Sequence, residues 1–146
     1  MPSTIGADCE VILDSVGYWI KPSSYKMVQP RIRQATIRAD GSEGYVDLGP
    51  GKREWSMTIL CLNDLAKYDD TSTGLSGQQY RDMLHASYTN STGSTINFTD
   101  PINGTVAVHF DSWEEHIIDM KTQIIALATG GSLAASYEVT ITLVEA

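Results

Sequence analysis

Cysteine is scarce in this chain of 146 residues: Cys9 and Cys61 are the only two. They stand 52 positions apart, a spacing that fits no zinc or thioredoxin motif. Both sit in alternating apolar runs, so two buried thiols are the favoured reading, with a cross-link as the alternative. Basic residues are also few. Ten Lys and Arg face eighteen Asp and Glu, a net charge of −8 with a pI near 4.6. That argues against a basic sheath for nucleic acid as the chain's main business. Long hydrophobic runs are missing too. The longest candidate, residues 122–137, is broken by Gly130, Gly131 and several hydroxyl residues, and is too short to span a bilayer. The first ten residues hold no basic segment followed by an apolar one, so no secretory leader is expected.

What is present points to one ordinary domain over residues 1–146. Apolar residues make up 42% and charged ones 19%, which excludes a disordered tail, a collagen-like rod or a charged coiled coil. A chain of this length buries roughly 70% of its unfolded surface and needs no staple to fold. The charge is lopsided. Residues 1–53 carry seven bases and six acids, and residues 54–146 carry three bases and twelve acids. Two differently solvated surfaces would explain this. So would a self-complementary molecule whose basic segment meets the acidic face of a neighbour.

The dominant sequence period is two. Cys9, Val11 and Leu13 alternate with Glu10, Ile12 and Asp14, and a strand restarts near Tyr18. Residues 31–39 read as a polar strand ending at Asp40-Gly41-Ser42, and residues 44–48 as a short strand before the breaker Gly49-Pro50-Gly51. Residues 54–62 form the clearest strand, with Trp55, Met57, Ile59 and Cys61 on one face. Ser76 and Gln79 form a capping box that opens a single helix with Tyr80, Met83 and Leu84 inward. Strands resume over 95–99, 105–111 and 136–145, with Asn103-Gly104 as a hairpin signal. Residues 117–127 are apolar on mixed phases and predict one long bulged strand or two. The expected fold is mainly β: a sandwich or distorted barrel of seven to eight strands with one helix packed on it.

No motif of catalysis stands out. His109, Asp111, Glu114, Glu115 and His116 are the most site-like cluster, and could hold a divalent metal, but a solvated strand face is the commoner explanation. Gly49-Pro50-Gly51-Lys52-Arg53 fails the phosphate-loop pattern, because Arg53 replaces the hydroxyl and a strand follows. His85 is expected to be exposed on the helix. A pair of carboxylates for glycoside hydrolysis finds no support in the spacing, and sequons at Asn90, Asn97 and Asn103 are what an Asn-, Ser- and Thr-rich chain produces by chance. Trp19 and Trp113 flank polar segments and are candidates for contact with something outside the fold, such as a sugar. Trp55 reads as core.

The segment Gly44-Tyr45-Val46-Asp47-Leu48-Gly49-Pro50-Gly51-Lys52-Arg53-Glu54-Trp55-Ser56-Met57-Thr58-Ile59 resembles a pattern in tail proteins of long-tailed bacteriophages. There a glycine-rich turn leads into a strand that starts with Trp. A helix, an Asp-Pro turn like Asp100-Pro101, and a closing strand like Tyr137-x-Val139-x-Ile141-x-Leu143-x-Glu145 follow. The order of elements over residues 30–146 is similar to the tail-tube fold of tube, distal tail and baseplate hub proteins. The resemblance implies a virion structural protein without catalysis or cofactor, made in the host cytoplasm. It implies a ring, commonly six-fold, whose subunits join their sheets around a channel, and rings that stack with one another and with other tail proteins. DNA would be a passing cargo not read by sequence, and no membrane would be a partner. The residues proposed for inter-subunit or inter-ring loops are Tyr45, Lys52, Arg53, Asp69 and Asp70. Those proposed for the channel lining are Glu138, Thr140 and Thr142, with Thr105, Ala107, His109 and Asp111 as an alternative face. The chain is short for a distal tail protein. The alternative function is a carbohydrate-binding β-sandwich using Trp19 and Trp113. A third is a small metal-dependent enzyme at His109, Asp111 and His116.

Overall fold

The computed structural model describes residues 4–63, 65, 67, 75–130 and 136–146; the side chains of residues 122, 123, 126 and 127 lie outside that description. The strands are β1 (Val11–Leu13), β2 (Val16–Ile20), β3 (Lys26–Val28), β4 (Arg31–Ile37), β5 (Glu43–Pro50), β6 (Glu54–Cys61), β7 (Ile96–Asp100), β8 (Gly104–Ile117) and β9 (Tyr137–Glu145). Two helices interrupt them, α1 (Gly77–Asn90) and α2 (Met120–Ala128). The fold is mainly β, as the period of two implies, with α1 packed on the sheet.

The main sheet runs β2-β1-β7-β8-β9-β6-β3, antiparallel throughout. β2 also pairs with β6, through Trp19↔Leu60 and Ile20↔Ile59. Six strands therefore close on themselves as a barrel, and β3 extends the sheet along the first half of β6. Alternation sends Val11, Leu13, Tyr18, Trp55, Met57, Ile59, Phe98, Val108, Val139, Ile141 and Leu143 into one core, each at most 1% exposed. The Trp55 and Phe98 rings meet at 5.5 Å. Cys9 and Cys61 are both free and buried, and burial pushes each thiol up to about 12. The favoured reading of two buried thiols holds.

Local chemistry fixes the joints. Asp14 and Ser15 both take positive φ, 51° and 68°, which makes the two-residue turn that joins β1 to β2. A bulge in β8 between Phe110 and Ser112 shifts the inward phase from Val108 and Phe110 to Trp113 and Ile117. One strand thus keeps Val106, Val108, Phe110, Trp113 and Ile117 inward, with Glu115 on the same face held by Arg81. Helix α1 begins with both bonds of the capping box, Ser76 Oγ accepting from the Gln79 amide at 3.2 Å and Gln79 Oε1 accepting from the Ser76 amide at 2.9 Å. It buries Tyr80, Leu84 and Ser87 against β6, β8 and β9.

The strand expected over 117–127 is corrected. β8 pairs with β9 only as far as Ile117↔Tyr137, and Met120–Ala128 turns into α2. The physical reason is the local composition: Met, Lys, Gln, Ala and Leu are strong helix formers, and the stretch has no alternation of period two.

Asp100, 3% exposed, anchors the β7–β8 turn. It accepts bonds from the Ile102 amide at 3.0 Å, the Asn103 side-chain amide at 2.9 Å, the Asn103 backbone amide and the Tyr25 hydroxyl. Burial pushes its carboxyl up, but the bonds from Tyr25, Asn103 and Ile102 outweigh that and hold it below the ordinary aspartate value. A carboxyl lowered in the folded state stabilises the fold above its unfolded pKa of about 3.9, and that contribution is lost as pH falls through the folded value. The urea midpoint is therefore expected to fall below about pH 4. Asp100→Asn should cost about 1–3 kcal/mol at pH 7 and give a shallower acid loss. An unchanged acid slope in that variant would assign the loss to other carboxyls.

Candidate assembly surfaces

Strands β3, β6, β9 and β8 form one layer whose outward face is polar. The register sets it out in rows: Ser112, Thr142, Ser56 and Lys26; then Glu114, Thr140 and Thr58; then His116, Glu138 and Leu60. Small hydroxyls dominate, and the Thr58 and Thr140 hydroxyls bond each other at 3.0 Å. Glu138 meets Lys21 Nζ at 3.3 Å. The residues proposed to line a channel, Glu138, Thr140 and Thr142, lie side by side on this face. His109, opposite Val144, belongs to the same face, while Asp111 sits in the bulge.

The layer has two open edges. β7 pairs with β8 only through residues 104–108, so residues 109–117 of β8 have β9 on one side and no strand on the other among the described residues. At the opposite side, β3 pairs with β6, and no strand among the described residues lies on its outer edge. Open edges present unpaired amides and carbonyls and template pairing with another chain. The β8 edge is acidic: Asp111 and Glu114 are exposed and make no ion pair among the described residues. Residues 26–53 carry six bases against three acids, and Lys26 is exposed on β3.

Beyond one end of the layer, β4 and β5 pair only with each other among the described residues and form an exposed hairpin arm. Tyr45 is 68% exposed on it, and Ile37 82%. Lys52 is exposed in the turn after the arm. Arg53 is turned onto its own chain: its guanidinium grips Glu145 at 2.7 and 3.2 Å and lies over the Trp55 ring at 5.1 Å. It therefore pins β9 to the start of β6. Asp69 and Asp70 lie outside the described residues.

The other candidate sites dissolve in the geometry. Trp19 is 8% exposed. Trp113 is half-buried among Tyr88, Phe110 and His85, with the Arg81 guanidinium 5.8 Å from its ring. Neither offers the open stacking platform expected of a sugar-binding surface. His85 is half-buried against Trp113, edge to face at 4.9 Å, and not exposed as expected. Arg81 is itself held by Glu115. His109, Asp111 and His116 are exposed along β8, and no three His, Cys, Asp or Glu side chains converge as metal ligands among the described residues. A polar cleft at the end of α1 is lined by Thr89, Ser91, Thr92, His109 and Asp111. Its hydroxyls already bond the last carbonyls of α1. The sequence pointed to the polar face of β9; the open edges depend on which strands pair, and no local pattern reports that.

No protein-family model and no curated protein matches this sequence, so the functional reading rests on the geometry of these surfaces and on the tail-tube resemblance.

Proposed function

We propose that this chain is a structural subunit of the tail-tube type. It forms a closed ring around a channel, and rings stack into a tube through which DNA passes. The observation that carries the reading is the pair of open edges on one four-stranded layer. β3 and β8 run in opposite directions within that layer, because three antiparallel pairings separate them. When the β3 edge of one copy meets the β8 edge of the next, the joint is antiparallel and the alternation continues. The contact is head-to-tail, so repetition closes into a ring when the rotation permits. The acidic β8 edge and the basic β3 side give that joint its polarity. The tail-tube resemblance supplies the number six.

Ring closure by these edges leaves the outward face of the layer as a continuous lining. Ser112, Glu114, Ser56, Thr58, Glu138, Thr140 and Thr142 would face the channel. Short hydroxyls give no deep grip, and carboxylates repel phosphate, which suits a duct for DNA. No catalysis, metal or cofactor enters this role. Partners would be other copies and neighbouring tail proteins, and the site of action the virion.

Amide hydrogen exchange tests the joint directly. In dilute solution the outward amides of residues 109–117 and of β3 should exchange fast, and on concentration they should slow by at least tenfold together. Protection that builds elsewhere while these edges stay open would refute the edge-to-edge ring.

A further inference from the structure

The turn between β7 and β8 carries a chemically reactive step. Asn103-Gly104 is the one Asn-Gly pair in the sequence; Asn63, Asn90 and Asn97 precede Asp64, Ser91 and Phe98. In such a pair the peptide nitrogen of the glycine can attack the asparagine side-chain carbon, because no Cβ stands in its way. The bond from the Gly104 nitrogen to Asn103 Cγ forms and the Cγ–Nδ2 bond breaks. The amide leaves as ammonia, carrying the proton of the Gly104 nitrogen with it. Water then opens the succinimide ring at either carbonyl and leaves aspartate or its β-linked isomer. The reaction draws on water alone.

The turn calls for both residues. Residues 101–103 make a three-residue loop, and Gly104 after it takes a φ of 72°, the left-handed conformation that closes such a hairpin. Asn103 ties the loop down. Its side-chain amide donates to Asp100 Oδ2 at 2.9 Å, and its backbone amide donates to Oδ1 of the same carboxylate. Asn103 is thereby held back toward the residue three before it. The attacking nitrogen belongs to the residue after it, and Gly104 is itself paired with Asp100 at the end of the ladder. Solvent reaches the loop, since Ile102 is exposed and Asn103 only half-buried. Attack therefore waits on a local opening in which the loop lets go of Asp100.

We propose that Asn103 is a latent deamidation site, guarded in the folded chain by Asp100 and released when the β7–β8 turn opens. The product cannot be guarded again. It sets a carboxylate where the donating amide stood, beside Asp100 Oδ2, so like charges replace a hydrogen bond. The β-linked isomer also adds a methylene to the main chain of the loop. Asp100 accepts from Tyr25 as well, one residue before β3, so damage at the turn reaches the base of that strand. The change is one-way: a turn that has opened and reacted opens more easily afterwards. It takes place in a single chain, whether or not rings form.

Peptide mass spectrometry, on samples drawn while the whole protein is held at mildly alkaline pH, tests the proposal. The amide-to-acid mass gain at Asn103 should be at least about tenfold slower in the folded protein than in the urea-unfolded chain, since bonds to a charged acceptor must break first. Asp100→Ala should remove most of that protection. Tyr25→Phe, which leaves both Asn103 bonds in place, should keep it. Should Asp100→Ala fail to fold, Asp100→Asn keeps the shape of the acceptor without its charge and should speed the reaction about threefold or more. Equal rates in the folded and unfolded wild type would overturn the proposal. So would a slow rate that the Asp100 variants leave unchanged, or one that Tyr25→Phe raises as much as they do. Asn103→Asp copies the unbranched product and should unfold at lower urea at neutral pH; an unchanged midpoint would overturn the claim that the product is left unguarded.

Discussion

Trp55→Ala is expected to destabilise the chain by about 3–5 kcal/mol, the range for deleting a fully buried large aromatic. Trp55 is 0% exposed, packs on Phe98, and pairs in register with Met27 on one side and Leu143 on the other. It thus joins the barrel to the strand that extends it. The Arg53 guanidinium over the ring connects the same residue to Glu145 and the end of β9. A domain of this size has about 5–15 kcal/mol of stability in all. The variant should consequently unfold at much lower urea, and Trp55→Phe, which keeps most of the volume, should lose clearly less. A loss below about 1 kcal/mol for the alanine variant would mean that the site collapses without cost and that Trp55 is not a keystone of the core.

The second large effect concerns association. Asp111→Lys with Glu114→Lys reverses two exposed charges on the acidic β8 edge. Neither residue touches the core, so the fold and its melting temperature should be nearly unchanged. Placed against the basic side of a neighbour, the reversed charges should weaken association by 100-fold or more, since like-charge contacts across an interface cost several kcal/mol. Lys26→Glu in the same chain should recover part of the loss by restoring opposite signs. Normal assembly of the double variant would place the subunit joint elsewhere, and sedimentation velocity at several concentrations and salt levels reads the result.

Much of the fold was legible from alternation. Trp55, Met57, Ile59 and Cys61 on one face, and Tyr137, Val139, Ile141 and Leu143 on the facing strand, are recoverable because half-buried strands repeat every two residues. The start of α1 was legible because Ser76 and Gln79 satisfy each other's amides locally. Residues 120–128 turn helical because they lack a period of two and are rich in helix formers. Other failures were decided elsewhere in the chain. Trp19 looked available because it flanks a polar segment, yet the pairing of β2 with β6 buries it. The barrel closure and the two open edges are long-range facts of pairing. The polar face of Glu138, Thr140 and Thr142 could be read as a face, but not as one bounded by open edges.

The central claim is that copies of this chain join laterally into closed rings. Its most direct test is the assembly state of the purified protein across a concentration series, by light scattering followed by negative-stain electron microscopy. The account predicts discrete rings of one diameter with a stain-filled centre, and short stacks of them at high concentration. A monomer at every concentration, or open fibres with no closed ring, would contradict it.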